Sequence, residues 1–205
     1  MLLNYITENF DNGEPIFLDE LPYKSKDSLR QEMKKLTDSG QIIRLYNGVY
    51  YKPFTTILGT EGKMSIIYFI KKRFIFKNND ICGYVKGIGL YNKYGFTTQI
   101  PSVIEVASNV ATTKQRRMEV DGYNIIVYKP LVEINNENVN EIEFLDLVTD
   151  IDVYSEIDGD ELKGKLREYI DKKHIDFSKV KTLLNNFPDK TYRNLYLGGI
   201  MNELV

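Results

Sequence analysis

Apolar residues at Leu2, Leu3, Ile6 and Phe10 recur at helical spacing and predict a helix from Met1 to Phe10, ended by Gly13 and Pro15. Ile16-Phe17-Leu18 reads as a brief strand, and Asp19-Glu20-Leu21 as a helical turn before Pro22. Ser25 is placed to cap the next helix, with Asp27 in its first turn. Leu29, Met33 and Leu36 then form one buried stripe, and Gly40 sits at the C-terminal end. That stripe turns Arg30, Gln31, Lys34 and Lys35 outward. Two β-prone runs follow, Gln41 to Leu45 and Val49 to Pro53, joined through Tyr46-Asn47-Gly48. Asn-Gly at such a junction predicts a hairpin whose two central residues both take positive φ.

Beyond a linker-like Phe54 to Gly62, the mostly apolar run Lys63 to Phe76 predicts a helix bearing Lys71-Lys72-Arg73. A short helix is expected from about Gly87, and strands at 100–107 and 123–128. Met118-Glu119-Val120 with Asp121-Gly122 suggests a second hairpin. Four helices are expected at about 138–150, 158–173, 178–186 and 189–204, with Asp158 and Glu161 as a capping pair and Pro188 at the start of the last. The whole predicts an α+β protein: a winged helix-turn-helix at 1–60, then an α/β domain at 61–205 with its core to about 130 and helices after it.

Charge sharpens this picture. The formal charge of the 205 residues is −2, yet residues 1–62 carry 7 basic and 9 acidic side chains, 63–129 carry 11 and 4, and 130–205 carry 9 and 16. Within the first part, Lys24 to Pro53 holds all 7 of the basic residues and only 3 acidic ones. A globally acidic chain thus has local basic faces able to attract phosphates. One cysteine, Cys82, excludes an intramolecular disulfide framework, and one histidine, His174, excludes multi-histidine metal centres. The N-terminal residues lack the features of a signal peptide and no apolar run reaches the roughly 20 residues of a membrane span, so a soluble, cytoplasmic protein is expected.

The outward face of the basic helix is the leading candidate for chemistry. A helix of this size fits the major groove, where Arg30 suits guanine and Gln31 adenine. Lys24, Lys26, Lys34 and Lys35 suit phosphates, and Arg44, Tyr46 and Asn47 lie on or near the hairpin. An ordinary solvated helix face has the same pattern. Lys114-Gln115-Arg116-Arg117 forms a second basic cluster before the later hairpin, able to touch a nucleic-acid backbone or simply to face water. Gly87-Ile88-Gly89 lacks a phosphate-loop pattern, and close backbone packing explains these glycines better. Asp146, Asp150 and Asp152 read as an acidic helix end, and Glu105 is not followed by the lysine that nuclease sites use. Tyr192, Leu195, Tyr196 and Gly199 form a stripe read as core. No enzymatic activity, cofactor or metal is expected.

Two stretches resemble a known family. Ser28 to Pro53 resembles the N-terminal winged helix of AbiEi-type antitoxins. Gly83-Tyr-Val-Lys-Gly87 and Tyr94-Gly-Phe-Thr-Thr-Gln-Ile-Pro101, continuing to Asn109, resemble the start of that family's second domain. The resemblance covers about 15–129. It implies an antitoxin and transcriptional autorepressor of a two-gene, phage-defence operon, opposing a nucleotidyltransferase toxin without a required stable complex. It implies binding to double-stranded promoter DNA, on inverted repeats, through Ser28, Arg30, Gln31, Lys34, Lys35, Arg44 and Asn47. The rival expectation is an interaction module whose acidic C-terminal helices bind a basic partner directly.

Overall fold

The computed structural model describes residues 2–22 and 25–204; the candidate Lys24 lies outside them. The chain is a mixed α+β protein of two compact units, one formed by residues 1–73 with 120–122 and the other by 74–119 with 123–205.

The first unit opens with α1 (Leu2–Asn9), β1 (Ile16–Phe17) and a 3-10 turn at Leu18–Glu20. Next come α2 (Lys26–Asp38), β2 (Ile43–Tyr46) and β3 (Val49–Tyr51). The strands form one antiparallel sheet in the order β1-β3-β2, with Ile16 opposite Tyr50 and Ile43 opposite Tyr51. Leu2 and Ile6 of α1 meet Ile16, Leu29, Met33, Ile42 and Tyr50 in one core. The helical stripe of α2 is therefore its buried face, as its spacing requires. Ser25 stands at the N-cap in extended conformation, but its side chain makes no capping bond.

The hairpin departs from the expected turn. Gly48 has φ of 77°, while Asn47 is not in the positive-φ region. The register shifts between Arg44 and Tyr46, leaving Leu45 as a bulge. One glycine plus a bulge thus supplies the twist that two positive-φ residues would otherwise give. The two-residue turns with both φ positive lie elsewhere, at Asn78-Asn79 (51° and 69°) and Asp121-Gly122 (50° and 78°).

The apolar run after the linker is not one helix. It forms α3 (Ile66–Ile70), then a wide π turn at Lys71–Ile75, then β4 (Phe76–Lys77) paired with β5 (Asp80–Ile81). The π turn carries Lys72, whose Nζ lies 2.8 Å from Glu14 and 3.0 Å from Glu20 and donates to the Pro15 carbonyl. The Phe10 ring lies 4.8 Å from the same ammonium, and Arg73 pairs with Asp19 at 3.2 Å.

In the second unit, β6 (Gly83–Lys86), α4 (Ile88–Lys93), β7 (Val103–Ser108), β8 (Gln115–Val120) and β9 (Tyr123–Tyr128) follow. The sheet order is β6-β7-β9-β8, antiparallel between β6 and β7 and parallel between β7 and β9. α5 (Val139–Thr149), α6 (Ile151–Tyr154), α7 (Gly159–Lys173), α8 (Phe177–Leu183) and α9 (Asp189–Leu197) complete it. α5 is buried almost all round and packs on α8, α9 and β6, with Phe144, Leu145 and Val148 fully enclosed. A helix buried on nearly every side lies inside its domain, and its carboxylates Glu143 and Asp146 are each met there by a lysine. Asp158 is the N-cap of α7 but makes no side-chain capping bond, and His174 closes that helix with φ of 52°. On α9 only Leu195 of the predicted stripe joins the core; Tyr192 is partly exposed and Tyr196 is 73% exposed.

Of the glycines in 83–89, Gly83 shows the expected close backbone packing, while Gly87 and Gly89 lie against side chains. A Cβ on Gly83 would strike the Phe74 carbonyl oxygen and come within 2.6 Å of that of Ala107, and one on Gly87 would strike the Glu105 carboxylate.

The segment Thr97-Thr98-Gln99 is a clamped loop. Glu156 accepts from the Thr98 amide (2.6 Å), the Thr98 hydroxyl (2.9 Å) and the Gln99 amide side chain (3.1 Å). From the other side Asn92 donates to the carbonyls of Thr97 and Gln99. The backbone bond from Thr98 is the main cause that lowers the Glu156 carboxyl from 4.5 to about 2. With the folded value below the unfolded one, this contribution is complete above about pH 4.5 and fades as pH falls toward 2. Carboxyl NMR titration should place Glu156 near 2 in the folded protein; a normal titration near 4.5 would show that the clamp is absent in solution.

Candidate nucleic-acid interface

The sheet of the first unit holds the β2–β3 hairpin beside α2, and a cleft of about 390 Å³ opens between them. Its lining includes Arg30, Lys34, Thr37 and Asp38 from α2 and Arg44, Asn47, Gly48 and Tyr50 from the hairpin. Four of the residues singled out from sequence, Arg30, Lys34, Arg44 and Asn47, thus share one surface although the helix and hairpin are separate in the chain. Arg44 donates to the Asn47 side chain at 3.1 Å, which stiffens the turn and holds the guanidinium over it. Arg30 lies 3.4 Å from Asp27, a pair exposed at both ends. Such a pair is worth about 0–1 kcal/mol and yields readily to a phosphate or a base edge.

The remaining α2 residues point elsewhere. With roughly 100° between successive residues, Lys34 lies about 40° from Arg30 around the helix. Gln31 faces outward, away from the buried stripe, and Ser28 and Lys35 lie roughly 140–160° from Arg30 on the opposite flank. Lys26, Ser28, Gln31 and Lys35 are all exposed, while Tyr46 is half-buried at the base of the turn, opposite Val49. A helix seated in a groove can present residues of its outward line and of both flanks to base edges and phosphates. Sequence reasoning missed Asp38, which lines the cleft and sets a carboxylate among the cations. Its spacing of i+4 from Lys34 was the available signal.

The second basic cluster belongs to the second unit. Lys114 precedes β8, but Arg116 and Arg117 lie on that strand and not in a loop before it. All three are exposed, on the strand at the edge of the four-stranded sheet. Adjacent strand residues face opposite sides, so Arg116 and Arg117 do not form a single clamp.

The acidic candidates are occupied. Asp146 lies 3.0 Å from Lys86 and accepts from the Tyr84 hydroxyl, Asp150 pairs with Lys190 at 2.5 Å, and Asp152 pairs with Arg193 at 2.5 Å. Burial nevertheless pushes the Asp146 carboxyl upward against the pull of Lys86. Glu105 accepts from Tyr128 at 2.7 Å. Among the described residues no three His, Cys, Asp or Glu side chains group to hold a metal ion, and no helix is long and apolar enough to cross a membrane. In comparisons with known proteins, no family model matches the chain and no match is found among curated proteins.

Proposed function

We propose that the first unit is a winged helix that binds double-stranded DNA, with α2 as its recognition helix and the β2–β3 hairpin as its wing. The observation that carries this reading is the cleft in which Arg30 and Lys34 of α2 face Arg44 and Asn47 of the hairpin. The order of helix, strand, turn, helix and hairpin, with the sheet order β1-β3-β2, also supports it. In this reading Arg30 and Gln31 read base edges, Lys34, Lys35 and Lys26 hold phosphates, and Arg44 and Asn47 touch backbone or minor groove.

From the resemblance of 28–53 and 83–109, the protein is proposed to be an antitoxin and autorepressor of a two-gene phage-defence operon. Its α/β second domain would act against a nucleotidyltransferase toxin. The rival reading, capture of a basic partner by the acidic helices, would draw on acidic side chains other than Asp146, Asp150 and Asp152, which ion pairs already engage.

Fluorescence anisotropy with DNA from immediately upstream of the gene, against a scrambled duplex at several salt concentrations, tests the DNA reading. Selective binding is expected. Lys34→Ala should lower the salt slope by about one unit on both duplexes. Arg30→Ala should weaken the specific complex by about 1–3 kcal/mol and relax base preference. Equal binding of both duplexes by the unaltered protein would overturn the operator reading. Equal losses on both with Arg30→Ala would remove its base-reading role.

A further inference from the structure

The second unit carries a cationic cleft that the DNA reading leaves unused. It lies between α4 and α7, has a volume of about 340 Å³, and is lined in part by Lys93, Tyr94, Lys165, Glu168 and Lys172. The ammonium of Lys93 stands 4.8 Å and that of Lys172 5.6 Å from the centroid of the Tyr94 ring. Neither lysine forms an ion pair among the described residues. Lys165 lies 2.9 Å from Glu168, a carboxylate 70% exposed. The other carboxylate beside Tyr94 is Glu143, which is buried and already receives the Tyr94 and Tyr169 hydroxyls and the Lys173 ammonium. The cleft therefore gathers three ammonium groups against one exposed carboxylate, in a chain whose last 76 residues have an acidic excess.

Like charges that line one cleft repel one another, and the ring beside two of them is held rigidly. The Tyr94 hydroxyl is fixed at 3.2 Å from Glu143 and its ring is braced edge-on by Tyr169 at 4.6 Å, so the ring beside which the Lys93 and Lys172 ammonium groups both stand is held in place. Gly95, at φ of 74°, leaves room for the Lys165 stem, since a Cβ there would come within 3.2 Å of Lys165 Cε. An anion between these ammonium groups relieves their repulsion, and a lysine ammonium is a compact donor suited to phosphate oxygens.

The geometry points to a binding site for a phosphate-bearing ligand in this cleft, with Lys93 and Lys172 on the phosphate oxygens and Lys165 as the third cation. The phosphate comes either from a free nucleotide or from the backbone of a nucleic-acid strand. Every residue involved lies in the second unit, so the inference does not depend on DNA recognition by α2.

Isothermal titration of the full chain with inorganic pyrophosphate, adenosine diphosphate and a short single-stranded oligonucleotide tests it. Pyrophosphate carries no base sequence, so its binding is read whether or not an operator exists. Saturable pyrophosphate binding is expected, weakened at least tenfold in Lys93→Ala/Lys172→Ala and largely retained in Lys93→Arg/Lys172→Arg. Circular dichroism checks that both variants are folded. Diphosphate binding tighter than pyrophosphate would identify a nucleotide site, and tighter oligonucleotide binding a strand site. No saturable binding of any probe, or equal affinity in the folded alanine variant, would overturn the proposal.

Discussion

Lys173→Met is expected to destabilise the second unit by about 3–5 kcal/mol in urea unfolding, the cost of leaving a buried charge without its partner. Lys173 Nζ lies 2.9 Å from Glu143, whose side chain is only 6% exposed on the fully packed helix α5. Tyr169 donates to the same oxygen at 2.9 Å and Tyr94 at 3.2 Å, so two hydroxyls and one ammonium converge on one carboxylate. Burial first, and then the charge and hydrogen bonding of Glu143, raise both tyrosines well above the usual phenol range. The hydroxyls alone do not neutralise the charge. Adding Glu143→Gln to the methionine variant keeps an acceptor for the tyrosines and removes the charge. The double variant should therefore recover more than half of the loss, a coupling that a mutant cycle measures directly. Strictly additive losses would show that the ion pair has no special role.

Gly83→Ala should cost about 3 kcal/mol, the upper end of the range for overpacking. The methyl group would meet two backbone carbonyls, those of Phe74 and Ala107, and neither can swing aside as a side-chain end does. Gly83 pairs with Ser108 at the start of β6, and the Ser108 hydroxyl donates to the same Phe74 carbonyl at 2.5 Å. A shift there disturbs the strand pairing and the bond together. Gly164→Ala is the matched control, because it lies within α7 with nothing within 4 Å of the new methyl. It should stabilise by about 0.5–1 kcal/mol through helix propensity alone. Urea midpoints that move alike in the two variants would refute the packing account.

These two cases also mark what the sequence could convey. The buried stripe Leu29-Met33-Leu36 was legible because one periodicity decides both helix and buried face. The later hairpin was legible at Asp121-Gly122, where local backbone preference decides the turn. At Asn47-Gly48 the same preference misled, since a bulge at Leu45 provides an equivalent twist. The run Lys63 to Phe76 offered continuous apolarity with no period, so nothing local separated α3, the π turn and β4. β6 was hidden behind its first residue, Gly83, whose purpose depends on carbonyls at residues 74 and 107. The candidate interface was legible as residue types, but not as a surface. Which of Arg30, Gln31, Lys34 and Lys35 face the hairpin follows only from the seating of α2. Glu156 was missed altogether, for its partner Thr98 lies 58 residues away.

The clamp at Lys72 changes what the N-terminal unit is electrically. The helix-and-strand pattern ends near residue 62, and to that point the chain sums to −2. Residues 63–73 add four cations, Lys63, Lys71, Lys72 and Arg73, and no acid, which turns the sum to +2; Asp121 brings the compact unit to +1. Two of those cations are spent on Glu14, Glu20 and Asp19. A fragment cut at Gly62 would strand these three carboxylates and carry a net negative charge, whereas one cut after Arg73 would keep them answered. The sign of the field around the cleft between α2 and the hairpin is thus decided by a segment that adjoins neither of them in sequence.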